Sequence, residues 1–442
     1  SFYALPFDAV DDDLSEELIV GPSANSHYGT AVKLTDSGKM VVAMEYNYST
    51  PVSIYDFRDG SVISWNLPAG HSPPDEHISV GSGRVAISAV NNSSGVFAEY
   101  NQNVFVYDED FTNEVIINNG LNMQLNGPHR IYDGKIYVAS RGGEFMQTKF
   151  INVYDVYTGN QLDQISYISV NTSSEITSMA IGLDKIAFGI GSAGRVILMD
   201  LDGSNPVDVT PAGLNGSNSD FGRRDQAIAI GIGPEGVGKL YVGEGDYNSN
   251  AGRVYSFNLD GTASTIIEAP NSEKRFGQSV AVDNGTLVVG SSNNETWTGS
   301  EPGFGNVYVV DSSGSANLTP SVGGADGNEY GAAVDIRKNR IVVGARNYTP
   351  VINGFAQTWT GGVYAYKKGF PAPTKVKNLS STNFPGSITS ATFDNDGYFE
   401  FNGTNSEIIT DDNINQANLP LTYECWVRTA NGYTPSGYVS LM

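Results

Sequence analysis

The sequence predicts an all-β chain: a ring of seven four-stranded blades, a β-propeller, with an N-terminal strand closing the last blade and part of a β-sandwich after it. Three observations predict this. Composition is the first. The chain has 442 residues, of which 51 are Gly, 24 Tyr and 19 Phe, with only 17% charged. Turn-forming and aromatic residues in such amounts suit many short strands joined by tight turns. The second and third are two short elements that each recur seven times, in register.

The first element is a turn residue, usually a basic residue, then an apolar–x–apolar strand ending in a small residue. Its copies are Gly38–Ala43, Gly83–Ser88, Gly134–Ala139, Asp184–Gly189, Gly238–Gly243, Gly285–Gly290 and Asn339–Gly344. The second residue of each falls at positions 39, 84, 135, 185, 239, 286 and 340, a spacing of 45 to 54 residues. One propeller blade occupies a period of this size. The second element is an alternating strand that follows after an insert of variable length. It is seen at Val52–Asp56, Val104–Asp108, Ile151–Asp155, Val196–Asp200, Val254–Asn258, Val307–Asp311 and Val363–Lys367. Two elements in fixed order, seven times over, define the ring.

Ring closure is legible at the N-terminus. Leu18-Ile19 precedes Pro22, with Tyr28 six residues on, and Ile266-Ile267 precedes Pro270, with Phe276 six residues on. The first strand therefore stands where an outer strand of a blade stands, and it is expected to complete the seventh blade. Such closure removes an edge that invites aggregation. The organisation expected is a lead-in over residues 1–13, the propeller over 14–369, a Pro-rich linker over 370–380 and the start of a sandwich over 381–442. In that last part, Gly397–Ile408 reads as a strand–turn–strand hairpin and Thr422–Arg428 as an alternating strand. A sandwich needs more chain than this, and the sequence is read as a fragment of a longer polypeptide.

Four blades open on an aromatic-Gly pair: Tyr28-Gly29, Phe221-Gly222, Phe276-Gly277 and Tyr330-Gly331. With Phe276–Asp283 followed by Leu287–Gly290 as the nearest copy, these units resemble FG-GAP repeats, the blades of integrin-α-like propellers. Residues 381–442 resemble the opening of concanavalin A-like, laminin-G-type jelly rolls, in which a Phe-Asn-Gly turn, here Phe401-Asn402-Gly403, precedes a strand ending near Trp, here Trp426. The FG-GAP resemblance implies calcium loops of Asp-x-Asp-x-Asp-Gly type, and none is intact. The nearest ligand set is Glu244, Asp246, Asn248 and Asn250, which reads more simply as an Asn- and Gly-rich turn. No cofactor is required by this reading; calcium is allowed.

Charge and motif content exclude several functions. Net charge is −23, the wrong sign for a nucleic-acid partner. No apolar run approaches the roughly 18 residues that span a bilayer. The one cysteine, Cys425, leaves no intrachain disulfide or multi-cysteine zinc site. His27, His71, His77 and His129 have no second ligand at metal spacing, and His27, His77 and His129 fall near blade entries, where packing is the expected role. No nucleophile elbow, P-loop or dinucleotide fingerprint is present, so the chain is expected not to be an enzyme.

The inserts between the two repeated strands carry the binding expectation. They should emerge on the face that also carries the blade-to-blade connections. Phe97, Tyr100, Trp297, Phe304, Tyr348, Phe355 and Trp359 lie on them, beside Asn, Asp and Glu. Aromatic faces edged by polar groups suit sugars, and loop packing or a neighbouring subunit would use the same rings. The architecture resembles tail and fibre components of phage virions and bacterial surface adhesins. It implies a virion structural protein binding host glycans or sister subunits, oligomeric within an assembly. A secreted, extracellular or cell-surface adhesin or polysaccharide-binding protein is the alternative, and a carbohydrate-active enzyme the third.

Overall fold

The computed structural model describes residues 15–367 except 46–48, 73–77, 92–101, 118–122, 143–147, 168–174, 215–219, 263–264, 271–274, 293–304, 319, 321–327, 339 and 353–354, and beyond them a few short strands between 375 and 410. The chain divides into two units, Ser1–Gly369 and Phe370–Met442.

The first unit is a seven-bladed propeller. Blade 1 is the antiparallel sheet Tyr28–Leu34, Lys39–Met44, Val52–Asp56, Val62–Trp65. The same four-strand meander repeats in blades 3, 4, 5 and 6, and blade 2 adds the short strand His71–Ser72 beside Arg84–Asn91. The repeated elements of the sequence are the second and third strands of every blade. Blade 7 is built from both ends of the unit. Ser15–Val20 pairs antiparallel with Gly362–Lys367, from Ser15 opposite Lys367 to Val20 opposite Gly362. The expected N-terminal closure is present.

The cores lie between blades. Among the described residues, seven buried apolar clusters each draw on two adjacent blades, from Val41, Ile54, Ile87 and Phe105 of blades 1 and 2 round to Val32, Val42, Val342 and Val363 of blades 1 and 7. Each sheet is thus covered on both faces by its neighbours, which explains why its strands read as nearly continuous apolar runs. Leu18 and Ile19 of the closing strand pack against two of these clusters.

Register decides which loops share a face. Tyr28 at the start of the first strand pairs with Met44 at the end of the second. The blade entries and the inserts after the second strands therefore emerge together, as expected. The opposite face carries the hairpin turns, and these repeat. Asp59, Asp110, Asp202, Asp260 and Asp311 each accept, through Oδ1, the backbone N–H two residues on, at 2.8–3.0 Å. Such Asx turns rigidify the tight connection.

The small residue ending the second strand also has a structural reason. A Cβ on Gly189, Gly243, Gly290 or Gly344 would lie 2.0, 1.8, 2.1 or 2.1 Å from the carbonyl oxygen of Gly222, Gly277, Gly331 or Gly29, the glycine of the next blade's aromatic-Gly pair. The aromatic partner is buried within its own blade. Phe221, Phe276 and Tyr330 meet Tyr255, Tyr308 and Tyr364 edge-on at 5.2, 5.5 and 5.2 Å.

In the second unit, Phe399–Phe401 pairs with Ala391–Phe393, and Glu407–Thr410 pairs with Gly386–Thr389. The hairpin expected over Gly397–Ile408 is therefore not formed: its two strands pair with different partners, in separate sheets. Phe399–Phe401 takes the strand before it as partner, which leaves Glu407–Thr410 to pair further back. Thr422–Arg428 and Cys425 lie outside the described residues.

Candidate functional site

The start of blade 5 departs from the repeat. Phe276 stands four residues before Val280, which pairs with Val289; the equivalent Phe221 stands seven before Ile228, which pairs with Val242. The extra residues fall in Arg223–Gln226, between Gly222 and Ala227, both of which hydrogen-bond to the backbone of Gly243. The insertion ties distant blades together.

Arg130 of blade 3 donates from Nη2 to Asp225 Oδ1 at 2.8 Å and to Asp225 O at 3.0 Å. Gln226 donates from Nε2 to Thr30 O of blade 1 at 3.3 Å. Val280 N of blade 6 donates to Gln226 O at 2.7 Å. Asp225 and Gln226 are buried although polar, as such partnering allows.

A cavity of about 10 Å³ sits beside this plug, walled by Thr30, Arg224, Gln226, Gln278, Ala332 and Arg346. Its charged groups are paired. Arg224 Nε lies 3.1 Å from Asp220 Oδ2. Arg346 binds Glu329 and reaches Glu45 at 3.9 Å. Gln278 accepts from the Ser292 hydroxyl. Burial raises the Asp220 carboxyl above the ordinary carboxylate value, against the pull of Arg224.

Thr30, in the cavity wall, is hydrogen-bonded to His27. Thr30 Oγ1 donates to His27 O at 2.7 Å, and the His27 ring stands 5.9 Å from the Trp359 ring. Both residues have left-handed backbone, with φ of 50° and 53°. Hydrogen bonds hold the pair in that conformation: His27 N to Trp359 O at 3.1 Å, Tyr28 N to Thr360 O at 3.1 Å and Trp359 N to Thr349 Oγ1 at 3.1 Å. Trp359 is nevertheless 56% exposed. Burial lowers the His27 pKa, opposed by the nearby Glu45 and assisted by Arg346.

Of the aromatics singled out in the sequence, Trp359 alone is found as a described, exposed ring. Tyr348 is a correction: it is 7% exposed and packs edge-on to Tyr364, because its insert folds back on blade 7. Phe355 lies on the short strand Phe355–Ala356, paired with Val351–Ile352. Phe97, Tyr100, Trp297 and Phe304 lie outside the described residues.

The calcium set is split between two environments. Glu244 is buried, receiving Arg253 Nε at 3.0 Å and the Tyr255 hydroxyl at 3.3 Å. Asp246 is exposed, with Arg275 Nε at 3.8 Å, and the rest of the loop is the one-turn helix Tyr247–Asn250. Among the described residues no three His, Cys, Asp or Glu side chains gather as a metal site. His129 is fully buried, its Nδ1 at 2.7 Å from Ser79 Oγ, and His71 Nε2 is 3.0 Å from Asn103 Nδ2. His77 lies outside the described residues.

No family model and no curated protein matches this sequence. Solved structures match in number, 1056 chains in all. Raptor of Chaetomium thermophilum is 11% identical, with a TM-score of 0.48 over 80% of this chain, which spans only 29% of that protein's length. A streptogramin B lyase is 10% identical, with a TM-score of 0.51 over 80% of this chain and 97% of its own. The likeness to the lyase is one of fold. At such identity it carries the propeller and nothing of the chemistry.

Proposed function

We propose that the protein is a non-enzymatic adhesive component of a larger surface assembly, a phage tail or fibre for preference and a secreted bacterial adhesin otherwise, and that its loop face binds glycans. The observation carrying this reading is Trp359. An indole 56% exposed costs solvation, and here it is held by backbone hydrogen bonds on a left-handed residue beside His27. Backbone strain at a surface aromatic is a mark of a binding role. An aromatic plane flanked by hydrogen-bonding groups is the arrangement that sugars use. In this reading the blades are of FG-GAP type and residues 381–442 begin a lectin-like jelly roll. Calcium is not needed for loop-face binding.

The test is binding of the purified chain to a glycan array and to whole bacterial cells, with and without calcium. Trp359→Ala is expected to abolish saturable binding while changing stability by less than about 0.5 kcal/mol. Equal binding by both proteins would remove the site.

A second reading, contact with sister subunits, is favoured by apolar side chains exposed on outer strands: Val62 at 53%, Ile116 at 47% and Leu162 at 53%. Concentration-dependent self-association that Ile116→Lys abolishes would support it.

A further inference from the structure

The axial cavity beside the blade-5 insertion has a specific unmet need. Of the buried side-chain polar atoms in its wall, Gln226 Oε1 has no hydrogen-bond donor among the described residues. The amide orientation is set by its other end, since Nε2 donates to Thr30 O. Gln226 itself is 6% exposed. A buried acceptor without a donor is destabilising, so a guest that supplies one is favoured.

The wall also says what kind of guest. Two arginines, Arg224 and Arg346, line the same space, and a guanidinium can only donate, so the guest needs an acceptor as well as a donor. Both are already charge-paired, with Asp220 and with Glu329 and Glu45, and Arg130 is paired with Asp225 next to Gln226. An incoming anion would meet no unpaired cation and would turn a lone pair toward Gln226 Oε1. An ammonium would offer donors only, to a wall that already contains two cations. A neutral hydroxyl has one donor and two acceptor lone pairs, which matches. Size agrees: about 10 Å³ admits a single water-sized group.

We infer that the cavity receives one neutral hydroxyl of a saccharide, donating to Gln226 Oε1 and accepting from Arg224 or Arg346, so that the ligand class is an uncharged glycan rather than a sulfated or uronic one. This rests on the glycan-binding reading of the loop face. It adds a specificity element at a residue outside the aromatic inserts, on a segment present in blade 5 alone among the aromatic-Gly blades. Thr30 and His27 link the cavity wall to the Trp359 ring, so stacking and hydroxyl recognition belong to one continuous site.

The experiment compares four proteins on one panel of immobilised neutral hexose oligosaccharides, uronic-acid oligosaccharides and sulfated oligosaccharides. The proteins are the wild type, Trp359→Ala, Gln226→Met and Ala332→Leu. Gln226→Met removes the acceptor, and Ala332→Leu fills the cavity while keeping the Gln226–Thr30 bond. Thermal midpoints are measured beside binding, so that a variant whose plug has loosened is recognised, and Ala332→Leu then decides. The wild type is expected to prefer neutral glycans, with both cavity variants weaker by about ten-fold, the loss of one good hydrogen bond. Loss of binding in Trp359→Ala with full binding in both cavity variants overturns the inference and keeps the loop-face reading; the cavity then holds water only. Preference for the sulfated or uronic panel overturns the ligand class. Absence of wild-type binding to every glycan overturns both.

Discussion

The ring has two kinds of blade junction. From blade 4 round to blade 1, each junction brings two glycine backbones together: Gly189 on Gly222, Gly243 on Gly277, Gly290 on Gly331 and Gly344 on Gly29. At two of these, a serine completes the contact, Ser178 and Ser279 donating to the carbonyls of Gly222 and Gly331. At the junctions among blades 1 to 4, Ala43, Ser88 and Ala139 stand where the others have glycine, and side chains make many of the bridges. Lys39 Nζ donates to Glu109 O at 3.0 Å, Ser79 meets His129, the Ser82 hydroxyl receives Gly134 N at 2.9 Å, and Tyr132 donates to Asp184 at 3.2 Å. The axial cavity is walled by blades 5, 6, 7 and 1 only, the glycine-clasped side. The difference teaches that close backbone approach, which glycine permits, brings the blade entries near enough to share one small cavity.

Breaking the closure itself should have the largest effect. Deleting Ser15–Val20 leaves Gly362–Lys367 as an unpaired edge and uncovers two apolar clusters. The expected outcome is loss of a cooperative transition and aggregation, read by thermal unfolding and size-exclusion chromatography. A deletion variant that melted like the full chain would mean the ring closes without its strap.

The next effect separates the two kinds of junction directly. Gly243→Ala places a Cβ 1.8 Å from Gly277 O, a contact with backbone that only a shift of the blade relieves. It should cost about 3 kcal/mol, in the range of overpacking and strain. The converse change on the other side, Ala43→Gly, should cost about 1 kcal/mol, from lost burial and added chain entropy. Equal costs in urea titrations would erase the distinction.

The smallest effect is the pH response at His27. Its pKa in the folded chain lies below the ordinary 6.5 because burial disfavours the imidazolium. The unfolded chain therefore binds the proton more readily. This contribution to stability is full above pH 6.5 and is lost as pH falls through that value toward the lowered folded one. His27→Gln should flatten this part of the stability–pH curve, below the ordinary imidazole value. An unchanged curve would place the titrating group elsewhere. Trp359 binding should weaken over the same interval if His27 positions the ring.

Much of this was legible in the chain. The second and third strands of every blade are the apolar–x–apolar copies, and Leu18-Ile19 is legible as a closing strand because its spacing to Pro22 and Tyr28 repeats at Ile266-Ile267. The small residues at 43, 88, 139, 189, 243, 290 and 344 are visible too, though their reason is not. Gly243 is small because Gly277, on the next blade, comes against it. The cavity escaped notice, yet a signal existed. Phe221-Gly222 is followed by Arg223-Arg224-Asp225-Gln226-Ala227 before Ile228, where Phe276-Gly277 needs only Gln278-Ser279 before the equivalent Val280. Extra charged residues at the entry of a first strand mark a departure from the repeat. Tyr348 misled because an insert rich in aromatics reads alike whether its rings face solvent or fold back on the blade.

The sequence by itself determined the blade count, the strand faces and the closure, since each follows from local periodicity repeated seven times. Tertiary structure alone decided that Asp225 meets Arg130, that Gln226 meets Thr30 and that Trp359 lies beside His27. Those partners are 95, 196 and 332 residues apart in the chain. A repeat fixes what every blade does; it carries no information about which side chains meet across the ring, because only the geometry of closure brings them within hydrogen-bond reach.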